Sequence, residues 1–131
     1  MTTEARPAQS TARVLVVEDE LMIRILLEDM LRELGYTVAG EAARVEEALE
    51  AARTADFDVA ILDVNLGGQA VLPVADALAA RGTPFVFATG YGDRGIPEIY
   101  RDRPTLKKPF QVEGLGRLLE EAIGRQQAGS S

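Results

Sequence analysis

Short, continuous apolar runs that alternate with helical patterns are the feature of this chain that most constrains its fold. The clearest runs are residues 14–17, 59–62 and 85–88, and residues 37–39 and 105–106 are weaker examples. Apolar runs without polar alternation suit strands that are covered on both faces, as in a parallel sheet. A short buried helix would give the same run, but the β-branched and aromatic residues favour strands here.

Four amphipathic stretches separate or follow these runs, and each indicates a helix with one buried face. Gly35, Gly82 and Gly124 follow three of them and are predicted to end the helices, while Pro73 suits a first helical turn. The apolar stripes predicted to lie in the core are Ile23, Leu26, Leu27, Met30 and Leu34; Ala48, Leu49 and Ala52; and Leu115, Leu118, Leu119, Ala122 and Ile123.

This order of elements predicts an α/β fold, a doubly wound five-stranded parallel sheet with right-handed crossovers. In such sheets the ligand site lies beyond the carboxyl ends of the strands. Residues 90–104, between the fourth and fifth strands, contain three glycines and two prolines. We therefore expect a single turn or a mobile loop there in place of a long fourth helix.

The amino-acid composition excludes several classes of site and partner. The chain has 131 residues and contains neither Cys nor His, which excludes disulfides, thiolate zinc sites, Cys nucleophiles and histidine bases. A net charge of −7 argues against binding to a nucleic-acid duplex. No apolar stretch approaches the roughly 18 residues of a membrane span, and no signal peptide is evident. We expect one cytoplasmic domain over residues 13–124, between flexible tails at 1–12 and 125–131.

Polar residues stand where four of the predicted strands end. These residues are Glu18, Asp19 and Glu20 after the first strand, Asp63 after the third, Thr89 after the fourth, and Lys107 and Lys108 after the fifth. Taken alone, the acidic triplet would equally suit a helix N-terminus. If the strand ends converge, the carboxylates repel one another, and a bound Mg²⁺ usually offsets this repulsion. A carboxylate nucleophile, a metal, a hydroxyl and a lysine are the parts that phosphoryl transfer needs.

These motifs, in this order, resemble the response-regulator receiver family, with its flavodoxin-like (βα)5 fold, over roughly residues 13–124. The resemblance implies that Asp63 accepts a phosphoryl group. It also implies that Glu18, Asp19, the Asp63 carboxylate and the backbone carbonyl of Asn65 hold Mg²⁺. Glu18 stands where many receivers have Asp.

The resemblance also assigns the other two groups. Thr89 would hydrogen-bond the phosphoryl oxygens, and Lys108, directly before Pro109, would pair with the new charge; Lys107 is the rival lysine. Residues 84–91 resemble the Pro-Phe-x-Phe-Ala-Thr-Gly-Tyr signature of a subfamily of mostly single-domain alphaproteobacterial receivers, several of which act in general stress signalling.

Two features depart from the usual receiver. Leu66-Gly67-Gly68 replaces the common Met-Pro after the acceptor turn, and this predicts a more flexible loop. Receivers place an aromatic switch residue three positions before the lysine, where this chain has Thr105. Tyr91 is the replacement that the sequence suggests.

The resemblance predicts a stand-alone regulator, a monomer or weak dimer, that takes its phosphoryl group from a histidine kinase or a histidine phosphotransfer protein. It would signal to a protein partner or act as a phosphate sink, with self-catalysed phosphorylation and dephosphorylation. One alternative is a Mg²⁺-dependent aspartyl phosphatase of the haloacid-dehalogenase type, which would need its nucleophile on the first strand. Another alternative is a degenerate receiver that binds partners without being phosphorylated. The presence of Asp63 and Lys108 argues against this alternative.

Overall fold

The computed structural model describes residues 12–54, 56–66, 69–89, 96, 98–107 and 110–129. Within these residues, five parallel strands form one sheet: β1 (Arg13–Val17), β2 (Thr37–Ala42), β3 (Val59–Asp63), β6 (Phe85–Thr89) and β7 (Thr105–Lys107). Their order in the sheet is β2-β1-β3-β6-β7. The predicted doubly wound sheet is confirmed, with each of the five predicted strands in place.

In the part of the chain that the structure describes, four α-helices cover the sheet: α1 (Leu21–Glu33), α2 (Val45–Thr54), α3 (Leu72–Ala80) and α4 (Val112–Gly129). Helices α1 and α4 pack against one face in one core cluster, and α2 and α3 pack against the other face in a second cluster. None of the helices in the described part of the chain is long and apolar enough to cross a bilayer.

The two-sided cover explains the continuous apolar runs. Residues Phe85 and Phe87 point into the core beneath α2 and α3, while Val86 and Ala88 point into the core beneath α1 and α4. Successive side chains of a strand alternate between faces, so a strand buried on both faces must be apolar at every position. All five residues of β6 are buried.

Two of the three glycines expected to end helices do so. Gly35 and Gly82 have φ angles of 94° and 73°, the left-handed conformation that glycine adopts without steric cost. In each case the residue after the glycine donates its N–H back to the last turn, as Tyr36 does to the carbonyl of Leu31 at 2.9 Å.

Two sequence predictions about helices are wrong. Helix α4 continues past Gly124 to Gly129, so residues 125–129 are helical where we expected a flexible tail. Gly124 has no left-handed φ, and a glycine permits a stop without requiring one. Leu26, expected in the core, is 44% exposed. Residues 1–11 and 130–131 lie outside the described residues.

The connections carry two smaller elements. An antiparallel hairpin follows β3 and was not predicted. It consists of two strands of two residues each, β4 (Asn65–Leu66) and β5 (Gln69–Ala70). Between β6 and β7 the described residues contain one 3-10 turn, Glu98–Tyr100, which agrees with the expected short helix. Gly67, Gly68 and Tyr91 lie outside the described residues.

Candidate functional site

The strand ends that carry the predicted site residues lie side by side. Strands β1, β3, β6 and β7 are consecutive neighbours in the sheet, and all run parallel. Asp63 pairs with Ala88, the residue before Thr89, and Thr89 pairs with Lys107. The carboxyl ends of four adjacent strands therefore form one edge, which is where α/β sheets bind ligands.

Three carboxylates converge at this edge. Glu18, Asp19 and Asp63 each present an oxygen such that the three oxygens lie within 4.8 Å of one another. Glu18 is fully buried, Asp63 is 8% exposed and Asp19 is half-buried. Two negative charges at 4 to 5 Å repel by about 3 to 4 kcal/mol at an effective dielectric constant of about 20. The fold holds these groups together against that repulsion.

Glu18 is fixed by its own loop. The backbone N–H of Glu20 donates to Oε2 of Glu18 at 3.0 Å, and the N–H of Glu18 donates to the carbonyl of Ala42 at 2.9 Å. Helix α1 begins only at Leu21, has no acid in its first turn and has no side-chain cap from Glu20. Glu20 is the N-cap residue of α1, but its side chain does not cap the helix, and Glu18 is buried beside Asp63.

Arg24 braces this loop from the first turn of α1. Its Nη1 donates to the backbone carbonyl of Glu18 at 2.9 Å, and its Nε lies 3.4 Å from Oε1 of Glu41 on β2. The side chain of Arg24 is only 16% exposed. Sequence reasoning missed this residue, because nothing in the local pattern distinguishes it from other helix-surface arginines.

Thr89 ends β6 and is 1% exposed. A solvated turn position would leave its hydroxyl open to water, whereas here the hydroxyl is enclosed at the sheet edge that holds Asp63. Lys107, the rival lysine, is the last residue of β7 and is exposed. Lys108 lies outside the described residues, as does the side chain of Asn65, so their roles remain predictions.

The cluster suits a hard divalent cation. Carboxylate and carbonyl oxygens are the ligands that Mg²⁺ prefers, and it is usually bound by one or two carboxylates with water and phosphate oxygens completing the shell. Three convergent carboxylates, two of them buried, supply that donor set.

The first half of α1 carries an apolar surface beside this edge. Leu21, Met22, Ile25 and Leu26 are 57%, 80%, 46% and 44% exposed, and we call these four residues the α1 ridge. The ridge starts directly after Glu20. Sequence reasoning placed Leu26 on the buried stripe of α1 and made no assignment for the other three residues, so it missed this outward-facing strip.

This chain belongs to the response regulator receiver domain family, because the sequence model of that family matches residues 14–120. A parallel sheet with carboxylates and a threonine at adjacent strand ends agrees with that family, and the proposed family and fold are confirmed. The chain is thus a receiver domain, a signalling domain of two-component systems.

Individual relatives support the same family. The transcriptional regulatory protein PdtaR of Mycobacterium tuberculosis is 38% identical over 128 residues, which cover 95% of this chain and 62% of PdtaR. The solution structure of SdrG from Sphingomonas melonis Fr1 has 46% identity and a TM-score of 0.78, and covers 87% of this chain and 97% of SdrG.

A second structure of SdrG, from Pseudomonas melonis Fr1, is of its BeF3-activated conformation and has a TM-score of 0.74 to this chain. The receiver domain of PhyR from Erythrobacter litoralis is 31% identical with a TM-score of 0.74, and covers 90% of this chain and 94% of that domain. The chain spans less than two thirds of PdtaR but nearly all of SdrG.

Proposed function

We propose that this chain is a response regulator whose signalling unit, residues 13–124, accepts a phosphoryl group on Asp63. The observation that carries the proposal is the convergence of Glu18, Asp19 and Asp63 within 4.8 Å, at the sheet edge that also holds Thr89. The phosphoryl donor is a phosphohistidine of a kinase or of a histidine phosphotransfer protein.

The transfer is a simple displacement at phosphorus. A carboxylate oxygen of Asp63 attacks, the bond between phosphorus and the donor's imidazole nitrogen breaks, and the nitrogen keeps that electron pair. The product is an acyl phosphate on Asp63. Attack by water on the same phosphorus later releases inorganic phosphate and restores the carboxylate, which ends the signal.

The surrounding residues stabilise the negative charge of this reaction. Glu18, Asp19, Asp63 and the backbone carbonyl of Asn65 would hold Mg²⁺, which supplies positive charge beside the phosphoryl oxygens when bound. The hydroxyl of Thr89 donates to one phosphoryl oxygen, and the ammonium of Lys108 pairs with another. Arg24 keeps Glu18 in place by holding its backbone carbonyl.

The α1 ridge is proposed as the surface on which the protein donor docks. Any donor must bring its imidazole to Asp63, so it must also cover the surface next to that site, where the ridge begins. Four large apolar side chains that are 44% to 80% exposed and adjacent on one helix form a contiguous patch, and such patches mark interaction sites more often than single exposed apolar residues do. Met22 is the most exposed of the four.

The signal leaves the domain either through a protein partner that binds the phosphorylated form or by draining phosphoryl groups from a kinase. A phosphotransfer assay with candidate kinases tests the proposal. In Mg²⁺ the label should move from the kinase to the wild-type chain and should not move to Asp63→Asn. Label that reaches both chains equally would contradict the assignment of Asp63.

A further inference from the structure

Tyr100, at the end of the 3-10 turn, is held from several sides. Its hydroxyl donates to Oδ1 of Asp76 on α3 at 2.6 Å. Its ring meets Phe85 edge-on with the centroids 5.5 Å apart, and lies 6.5 Å from the ring of Phe87. Tyr100 is 7% exposed although Ile99 beside it is 74% exposed. One side chain therefore anchors the turn both to α3 and to β6.

Arg103 completes the same cluster. Its guanidinium lies 4.4 Å from the ring centre of Phe85 and 5.5 Å from that of Tyr100, within the range of cation–π contacts. The N–H of Arg103 donates to the carbonyl of Tyr100 at 3.0 Å, and the hydroxyl of Thr105 donates to the carbonyl of Arg103 at 3.2 Å. Thr105, which stands where an aromatic was expected, thus helps to fix the segment that carries Tyr100.

The aromatic cluster lies on the face of β6 that leads to Thr89. Side chains two positions apart in a strand point to the same face, so Phe85, Phe87 and Thr89 share one face. The two phenylalanines lie in the core cluster that contains Tyr100. A displacement of Thr89 toward a phosphoryl group on Asp63 would move the end of β6, and Phe87 lies two positions before Thr89 on that face.

We propose that Tyr100 is a positioning residue that couples the phosphorylation state of Asp63 to the conformation of residues 98–103. The inference rests on the proposed function, since it requires a phosphoryl group at Asp63. Tyr100 does this by linking β6 and α3 to the turn, and Asp76 is its hydrogen-bond acceptor. The hydrogen bond to Asp76 also raises the pKa of Tyr100 above its usual value, with burial adding to the effect, so the hydroxyl stays protonated and remains a donor.

The test uses NMR chemical shifts and amide exchange of the full chain, with Mg²⁺ and with or without beryllofluoride as the phosphoryl mimic. In the wild type, beryllofluoride should shift the resonances of Thr89 and of residues 98–103. In Tyr100→Phe the response of Thr89 should persist, while that of residues 98–103 should fall at least about threefold. Without beryllofluoride, amides in 98–103 should exchange about three to ten times faster in this variant, because one hydrogen bond to a charged acceptor is lost.

Two further variants keep the result interpretable. Asp76 is exposed, so Asp76→Ala removes the hydrogen-bond acceptor without disturbing the core and should reproduce the effect of Tyr100→Phe. Tyr36 is equally buried at 5% exposure but lies in the core on the opposite face of the sheet, so Tyr36→Phe should behave like the wild type.

The possible failures are distinct. If beryllofluoride leaves Asp63 and Thr89 unchanged in the wild type, the proposed function is contradicted. If Thr89 responds in every protein and residues 98–103 respond equally in the wild type, Tyr100→Phe and Asp76→Ala, only the role of Tyr100 is contradicted. If Tyr91→Ala alone abolishes the response of residues 98–103, the coupling belongs to Tyr91.

Discussion

Glu28 on α1 and Glu41 on β2 form a close pair of carboxyl groups, and within the described residues Oε2 of Glu28 is buried without a hydrogen-bond partner. Burial without a partner disfavours the charged form of a carboxyl group, and a second carboxylate nearby adds to this effect. Glu28 is 6% exposed, and burial, followed by the contact with Glu41, raises its pKa from 4.5 to about 7. Arg24 and Arg32 oppose this shift without reversing it.

This pair predicts a pH dependence of stability that Glu28→Gln should remove. A raised carboxyl pKa means that the folded state binds the proton more tightly than the unfolded state. The contribution to stability is therefore complete below about pH 4.5 and is lost as the pH rises to about 7. The stability of Glu28→Gln relative to the wild type should rise over this range, by on the order of 2 kcal/mol, and level off above it.

Urea unfolding at a series of pH values measures this difference. Glu33→Gln, which changes an exposed glutamate on the same helix, should keep a constant difference from the wild type. A constant difference for Glu28→Gln would show that the pair does not hold its proton in the way proposed.

The fold could be predicted because strands that are buried on both faces appear in the sequence as continuous apolar runs. The runs at 14–17, 59–62 and 85–88 each became a strand of the central sheet. The position of the site followed from topology, since Asp63 and Thr89 end neighbouring parallel strands and could hardly lie elsewhere. Neither conclusion required knowledge of any side-chain contact.

The features that sequence reasoning missed depend on tertiary packing. Glu28 and Arg24 look like ordinary polar helix residues. Glu28 is buried only through tertiary packing, and Arg24 finds its two partners outside its own helix, in the carbonyl of Glu18 after β1 and in Glu41 on β2. Tyr100 lies in a stretch broken by glycine and proline, where no periodicity shows which residue turns inward. Leu26 was misassigned because α1 is apolar over more of its circumference than one face of the sheet can cover.

Mg²⁺ should stabilise the protein if the acidic cluster binds it. At Mg²⁺ concentrations ten to a hundred times the Kd, the free energy of unfolding should rise by about 1 to 3 kcal/mol. Asp19→Asn should weaken this effect, and in EDTA it should be more stable than the wild type because it relieves charge repulsion at the cluster. Thermal unfolding with and without Mg²⁺ measures both effects.

The matched control is Asp56→Asn. Asp56 is exposed and precedes β3, at the opposite end of the strand from Asp63, so its replacement should leave the Mg²⁺ effect intact. A wild-type melting temperature that does not respond to Mg²⁺ would argue against these ligands, as would equal responses of Asp19→Asn and the wild type.

The α1 ridge should matter for a protein donor and not for a small one. Met22→Gln, or Met22→Gln with Ile25→Gln, should lower kcat/KM for phosphotransfer from the cognate kinase by about tenfold, as expected for large side chains central to an interface. Labelling by acetyl phosphate, which needs no docking surface, should stay at the wild-type rate. Ile99→Gln, at a site 74% exposed on the 3-10 turn, serves as the control for loss of surface hydrophobicity. Equal slowing with both donors would place the effect at the acceptor site and contradict a docking role.

The central claim is that Asp63 is the phosphoacceptor, and intact-mass spectrometry after incubation with acetyl phosphate and Mg²⁺ tests it most directly. The wild type should gain the mass of one phosphoryl group, and fragmentation should place it on Asp63. Asp63→Asn should gain none, whereas Asp56→Asn should be labelled like the wild type. An undiminished adduct on Asp63→Asn would contradict the assignment of this residue and the function built on it.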